Sequence, residues 1–247
     1  MRGGSDFCGC FPTGRSYPGI AHLVHSTFQG VAQGFDPSSS WIDQPVVMID
    51  TETTGREANE DRIIEIAIVR GRSGSVLSRD SWLINPERPI PVASSGVHGI
   101  YDKDVRGKPT FADVFPEIIR CLAQAIPAAY NASFDRGFLF AEARRAGRSP
   151  VTDAPAVQDR VVWIDPLVWA RLLYPGEKSR KLSSMASLLG IALEHAHRAT
   201  ADAEAALLVM YKMAEDGRIP TEYGRLIQEQ VSTGRLQEEA RSMWRRR

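Results

Sequence analysis

The chain has few cysteines and no long apolar run. Its 247 residues include three cysteines, Cys8, Cys10 and Cys121. This is an odd number without the spacing of a disulfide framework, which favours a reducing compartment. No segment approaches the roughly 18 consecutive apolar residues of a membrane helix, and the N-terminus has no apolar run typical of a secretory signal. The sequence therefore predicts a soluble cytoplasmic protein without a membrane partner.

An excess of charge of either sign is also absent. The 30 Lys and Arg residues are balanced by 30 Asp and Glu residues, so the formal net charge is zero. This balance argues against a basic protein that coats nucleic acid along its whole surface. A local basic patch remains compatible with it, because one face of a domain can steer a polyanion.

The composition changes near Trp41. Residues 1–40 are rich in Gly, Ser and Pro and have no sustained period, which predicts a flexible or poorly packed N-terminal extension. Residues 41–217 contain apolar, β-branched runs followed by alternating helix and strand patterns, which predict one α/β domain. Residues 218–247 are predicted to form a C-terminal helical tail.

Three strand patterns follow one another closely in the sequence and predict an antiparallel meander. They are VVMIDTET, RIIEIAIVRG and SVLSRDSWLI. Helices are predicted for the segments TFADVFPEIIRCLAQ, SFDRGFLFAEARRAG and ATADAEAALLVMYKMAEDG, and short strands for PAAYNA and RVVWID. A meander followed by alternating helices and strands indicates a mixed sheet flanked by helices.

Two acidic residues, Asp50 and Glu52, end the first strand pattern. Positions i and i+2 of a strand point to the same face with Cα atoms roughly 6.5 to 7 Å apart, so both carboxylates face one place. Carboxylates this close raise each other's pKa unless a cation lies between them, and a divalent metal ion is the usual candidate. A solvated or helix-capping acidic pair is the alternative.

Two later segments supply further chemistry. Asp135 follows a short strand, in the first turn of a helix that Ser133 could cap, where backbone N–H groups favour an anion. His197 and Asp202 are five residues apart, which separates them by about 140° on a continuous helix. If the helix begins near Ala199 instead, His197 lies in the approach loop and both side chains can reach one site.

The motifs DTETTG, NASFD and HRATAD, in this order, resemble those of the DEDDh class of 3′→5′ exonucleases. This class includes the proofreading epsilon subunit of bacterial DNA polymerase III. The resemblance covers roughly residues 46–217, and VHGIYDKDV is a further local match. His197 is favoured over His195 because it completes the H-x-A-x-x-D pattern. The resemblance implies a ribonuclease H-like fold with a mixed sheet of five strands flanked by helices.

The resemblance also implies a chemistry. Asp50, Glu52, Asp135 and Asp202 would hold two Mg²⁺ or Mn²⁺ ions, and His197 would act as general base. The implied activity is release of nucleoside 5′-monophosphates from single-stranded or frayed 3′ ends, of DNA rather than RNA, in proofreading or repair. A DNA polymerase or sliding clamp is a further implied partner. The alternatives are an exoribonuclease of the same fold and a non-catalytic scaffold that binds nucleic acid or a polymerase.

Several other residues have a functional interpretation, in most cases beside a structural one. Thr53 and His98 would approach the terminal nucleotide as in the family, and Phe134 would either stack on a base or pack in the core. Glu65 would face solvent or a neighbouring strand, or support the metal site. Arg136, Arg198 and the charged residues of 177–181 would contact phosphates or simply be solvated.

Overall fold

The fold is built on a mixed sheet of four strands. A computed structural model describes residues 28–147, 154–193 and 198–245. The strand order is β3-β2-β1-β4, with β1–β2 and β2–β3 antiparallel and β4 parallel to β1. The predicted meander and mixed sheet are therefore confirmed. The strands are β1 Val46–Thr53, β2 Ile63–Arg72, β3 Ser75–Leu83 and β4 Ile126–Ala128.

The fifth strand expected from the resemblance is reduced to a single parallel bridge between Ala128 and Ile164. Pairing stops there because the next N–H, that of Asp165, donates to the side chain of Gln230 instead of a strand. Pro166 then begins a helix and has no N–H to donate. The described sheet thus has four strands, and the predicted count of five is corrected.

Helices cover both faces of the sheet. Those predicted from sequence are confirmed with shifts of a few residues at their ends. The helices at Val92–His98 and Asp102–Val105 were not predicted, because residues 85–91 contain three prolines and the segment lacks a helical period. Within the described ranges no helix has the length and apolarity needed to cross a lipid bilayer. The helices are α1 Val92–His98, α2 Asp102–Val105, α3 Phe111–Leu122, α4 Ala132–Arg145, α5 Pro166–Leu173, α6 Leu182–Leu188, α7 Ala199–Met213 and α8 Tyr223–Arg245.

The strand β1 separates two apolar clusters. Val47 and Ile49 face a cluster with α3 and α4, whereas Val46 and Met48 face a cluster with α5, α7 and the start of α8. This follows from the alternation of side chains along a strand. Each fully buried Val, Leu, Ile or Phe side chain contributes about 1.5 to 3 kcal/mol to folding. The two clusters therefore hold β1, which carries the acidic pair, between the helix layers.

The described end of the predicted N-terminal extension is part of the core. Val31, Ala32 and Phe35 are buried in the same cluster as Tyr223, at the start of α8. The N–H of Ala32 donates to Tyr223 Oη over 3.1 Å. The expected poor packing is therefore wrong for residues 28–40, where a few apolar side chains among Gly, Ser and Pro are sufficient for docking. Residues 1–27 lie outside the described part of the chain.

Candidate active site

Three carboxylates converge at the end of β1. Asp50 and Glu52 project from the strand, and Asp202 projects from the first turn of α7. One oxygen atom of each lies within 4.8 Å of one from each of the others. Helix α7 begins at Ala199, as predicted, and this start brings Asp202 to the strand end. We call these three residues the carboxylate cluster.

Asp135 approaches from α4, on the other side of β1. It is only 3% exposed, and its Oδ1 accepts a hydrogen bond from Thr51 Oγ1 over 2.8 Å. Burial raises the pKa of Asp135 to about 7, although the Thr51 hydrogen bond acts in the opposite direction. Asp135 does not belong to the carboxylate cluster, but its charge is close enough to raise the pKa of Asp50.

Burial and mutual repulsion raise the pKa values of the clustered carboxylates. Burial, followed by the charges of Asp135 and Asp202, raises the pKa of Asp50 well above its usual value. Burial, followed by Asp202 and Glu65, raises the pKa of Glu52 to about 8. Carboxylates with such pKa values retain protons near neutral pH, and a divalent cation would favour the ionised forms. The donor set of carboxylate oxygens fits a hard divalent cation such as Mg²⁺ or Mn²⁺.

The start of α4 is fixed from outside the helix. Asn131 precedes the helix with a left-handed φ of 72°, and Ser133 lies inside the first turn, so the prediction that Ser133 caps this helix is wrong. Asp165 accepts the N–H groups of Asn131 and Ala132 over 3.0 and 3.1 Å. Its position just after the bridge to β4 brings it under this turn. Asp165 therefore positions the turn that carries Asp135, a role that no sequence motif indicated.

Glu65 joins the loop before α7 to the sheet. It is 3% exposed and lies directly opposite Glu52 in the pairing of β1 with β2. It accepts hydrogen bonds from Arg198 Nη2 over 3.3 Å and from the N–H of Ala199 over 3.4 Å. The solvent-facing interpretation of Glu65 is wrong, and its isolation within an apolar strand pattern was the available signal. His195 and His197, which precede Arg198 in the chain, lie outside the described residues.

The predicted substrate residues differ in their surroundings. Thr53 is buried, and its Oγ1 donates to the carbonyl of Gly55 over 2.5 Å. His98 is also buried, and its Nδ1 accepts the N–H of Ile100 over 3.0 Å. Phe134 is half-buried against the cluster of α3 and α4. Phe134 therefore lies at the edge of the core, and a contact between Phe134 and a base stays a prediction.

Comparison with known proteins extends these observations. The exonuclease (RNase T) family model matches residues 47–210. The PolC-type DNA polymerase III of Latilactobacillus sakei subsp. sakei (strain 23K) is 36% identical over 170 residues, which are 69% of this chain. These residues cover only 11% of the length of that polymerase. The similarity is therefore to one small part of a much larger protein.

Solved structures support the same relationship. A structure of Exonuclease X in complex with 5′ overhanging duplex DNA is 27% identical, with a TM-score of 0.55, and the match covers 74% of this chain and 99% of that one. E. coli Exonuclease I in complex with a dT13 oligonucleotide shares the fold, with 21% identity and a TM-score of 0.61 over 75% of this chain and 43% of that chain. The resemblance predicted from the three motifs is confirmed. The chain belongs to the exonuclease family.

Proposed function

We propose that this chain is a metal-dependent exonuclease that removes nucleoside 5′-monophosphates from the 3′ end of DNA. The observation that carries the proposal is the convergence of Asp50, Glu52 and Asp202 within 4.8 Å at a strand end. DNA is favoured because the polymerase relative acts on DNA by its name and the Exonuclease X structure contains DNA. A DNA polymerase or sliding clamp as partner is part of the proposal, since the relative that contains a segment similar to this chain is a DNA polymerase by its name.

The metal ligands in this proposal are Asp50, Glu52, Asp135 and Asp202. The raised pKa values of the first three support this set, because a cation would offset the burial and the repulsion that disfavour their ionised forms. Two divalent ions, when bound, would supply positive charge for the attacking and leaving oxygens of an in-line displacement at phosphorus. Thr51 holds Asp135 through its hydroxyl, so this ligand would be oriented before metal arrives.

His197 is the proposed general base. Its usual pKa near 6.5 suits removal of a proton from the attacking water near neutral pH. The ion pair between Glu65 and Arg198 supports this role, because it holds the residue that directly follows His197 next to the carboxylate cluster. We expect His197→Ala to lower kcat by roughly 10²- to 10⁴-fold.

The 3′-terminal nucleotide would lie between β1 and α1, against Thr53, His98 and Phe134. Helix α1 is attached to the end of β1 by a hydrogen bond from Ser94 Oγ to the carbonyl of Thr54 over 2.7 Å. This attachment supports the proposal because it keeps the helix that carries His98 beside the acidic pair.

The test uses single-stranded DNA and RNA oligonucleotides labelled at either end. With Mg²⁺ or Mn²⁺, we expect 3′-labelled DNA to release labelled mononucleotide at once and 5′-labelled DNA to shorten progressively. EDTA should stop both reactions. Release of labelled mononucleotide from the 5′ end would contradict the proposed polarity, and faster degradation of RNA would contradict the proposed substrate.

A matched pair of variants tests the site. Asp202→Asn removes one charge of the carboxylate cluster and should abolish hydrolysis, whereas Asp159→Asn removes an exposed carboxylate outside the cluster and should leave the rate unchanged. Circular dichroism and urea unfolding would establish that both variants are folded. Wild-type rates in folded Asp202→Asn would refute the assignment.

A further inference from the structure

Four cations line a cleft beside the start of α4. Arg171 of α5, Arg180 and Lys181 before α6, and Arg241 of α8 border two adjoining depressions of about 780 and 600 Å³. The depressions share Arg171, Arg241 and Asn131. We call the two depressions together the basic cleft. Its cations come from three separate parts of the chain, so the folding of the protein assembles it.

The cations of the basic cleft outnumber the carboxylates that line it. No salt bridge within the described ranges involves any of the four. Two acidic residues, Asp165 and Glu238, line the second depression, and Asp165 already accepts three backbone N–H groups. The pKa of Arg171 is lowered, first by burial and then by the charge of Arg241. The positive charge of the cleft is therefore available to an external anion.

The basic cleft adjoins the proposed active site through one helical turn. Asn131 and Ser133 line the cleft, whereas Asp135 in the same turn of α4 points to Thr51 of β1. Four residues of α-helix advance about 6 Å along the axis. A chain of phosphates that passes over the start of α4 could therefore contact the basic cleft while its end lies at the carboxylate cluster.

We infer that the basic cleft binds the phosphodiester backbone of the substrate strand, a few nucleotides upstream of the 3′-terminal nucleotide. This inference rests on the proposed function for its substrate class. Arginine suits the role because its planar guanidinium matches two phosphate oxygens at once. Arg241 lies beyond residue 210, where the family match ends. Helix α8 thus extends the exonuclease domain with a strand-binding surface of its own.

Charge reversal tests the inference. The single variants Arg241→Glu and Lys181→Glu should each bind a long, fluorescently labelled oligothymidylate about tenfold more weakly than the wild type, measured in EDTA. Each substitution removes one phosphate contact and introduces one repulsive charge. The slope of log Kd against log salt should become shallower by about 0.7 for each lost contact. With Mg²⁺, KM for the same oligonucleotide should rise, while hydrolysis of the p-nitrophenyl ester of thymidine 5′-monophosphate, which has no upstream phosphate, should be unchanged.

Arg235→Glu is the matched control. Arg235 lies on the same helix and is exposed, but it lines a different depression together with Arg160. The substitution changes the net charge by the same amount and should leave binding and KM unchanged. Equal weakening by Arg235→Glu, or unchanged binding in Arg241→Glu and Lys181→Glu, would overturn the inference. Because binding is measured without turnover, absence of hydrolysis by the wild type would refute only the proposed function.

Discussion

Replacement of Glu52 by glutamine tests the electrostatic cost of the carboxylate cluster. Burial, Asp202 and Glu65 raise the pKa of Glu52 from its usual 4.5 to about 8. One pKa unit corresponds to about 1.4 kcal/mol. Keeping Glu52 ionised in the folded, metal-free protein therefore costs up to about 5 kcal/mol. Glutamine has nearly the same shape without the charge, so the substitution removes this cost.

The cost grows with pH in a defined direction. The unfolded chain releases the Glu52 proton near pH 4.5, whereas the folded protein retains it up to about pH 8. Between these values the folded state binds more protons, so the free energy of unfolding of the metal-free wild type falls as pH rises. For this single group the loss is about 1 kcal/mol at pH 5 and about 3 kcal/mol at pH 7.

Urea unfolding in EDTA measures the difference directly. We expect Glu52→Gln to be more stable than the wild type by about 1 kcal/mol at pH 5 and about 3 kcal/mol at pH 7. With saturating Mg²⁺ the order should reverse, because only the wild type retains the full set of proposed metal ligands. Glu60→Gln, at an exposed position, is the control and should show no such dependence. A difference at pH 7 that is absent, or no larger than at pH 5, would refute the reasoning.

Three further predictions concern buried polar groups, and urea unfolding measures each of them. Tyr211 Oη is buried and has no hydrogen-bond partner in the part of the chain that the structure describes, so Tyr211→Phe should raise the free energy of unfolding by about 1 kcal/mol. Tyr223→Phe should instead lower it by about 1 to 3 kcal/mol, because the N–H of Ala32 loses its acceptor; equal effects of the two substitutions would contradict this account. Glu142 is 1% exposed and accepts Arg62 Nε over 2.7 Å. Glu142→Ala should cost about 3 kcal/mol, because Arg62 keeps only the exposed Glu87 and the carbonyl of Pro86 as partners among the described residues and the buried N–H of Ile63 loses its acceptor. A loss below about 1 kcal/mol would indicate a solvent-screened pair.

Much of the site could be predicted because its signals are local. Asp50 and Glu52 share a strand, so the period of two places them on one face whatever the rest of the fold does. The helix pattern that begins at Ala199 was the condition under which His197 and Asp202 could reach one site, and α7 begins there. In both cases the geometry depends on a few neighbouring residues, and their backbone conformation follows from sequence pattern.

The contacts that sequence reasoning missed depend on distant parts of the chain. The position of Glu65 opposite Glu52 requires the register between β1 and β2, which no local pattern specifies. The role of Asp165 requires the bridge that brings its segment beside β4. The basic cleft needs α8 to lie next to α5 and the start of α6. Tertiary packing decides each of these contacts, and so they appear only in the structure.

The proposed role of a metal ion agrees with how the fold distributes its charge around β1. Arg198 lowers the pKa of Glu52, but its guanidinium also pairs with Glu65, so one cation serves two carboxylates. The remaining acidic groups are close enough to raise the pKa of Asp50 together. The cations of the basic cleft lie beside Asn131 and Ser133 at the start of α4, whereas Asp135 in the same turn contacts Thr51 of β1. In the proposed complex these cations contact the substrate backbone and not the carboxylate cluster. Since Arg198 is already shared with Glu65, we propose that bound metal ions supply the positive charge that the ionised carboxylate cluster needs.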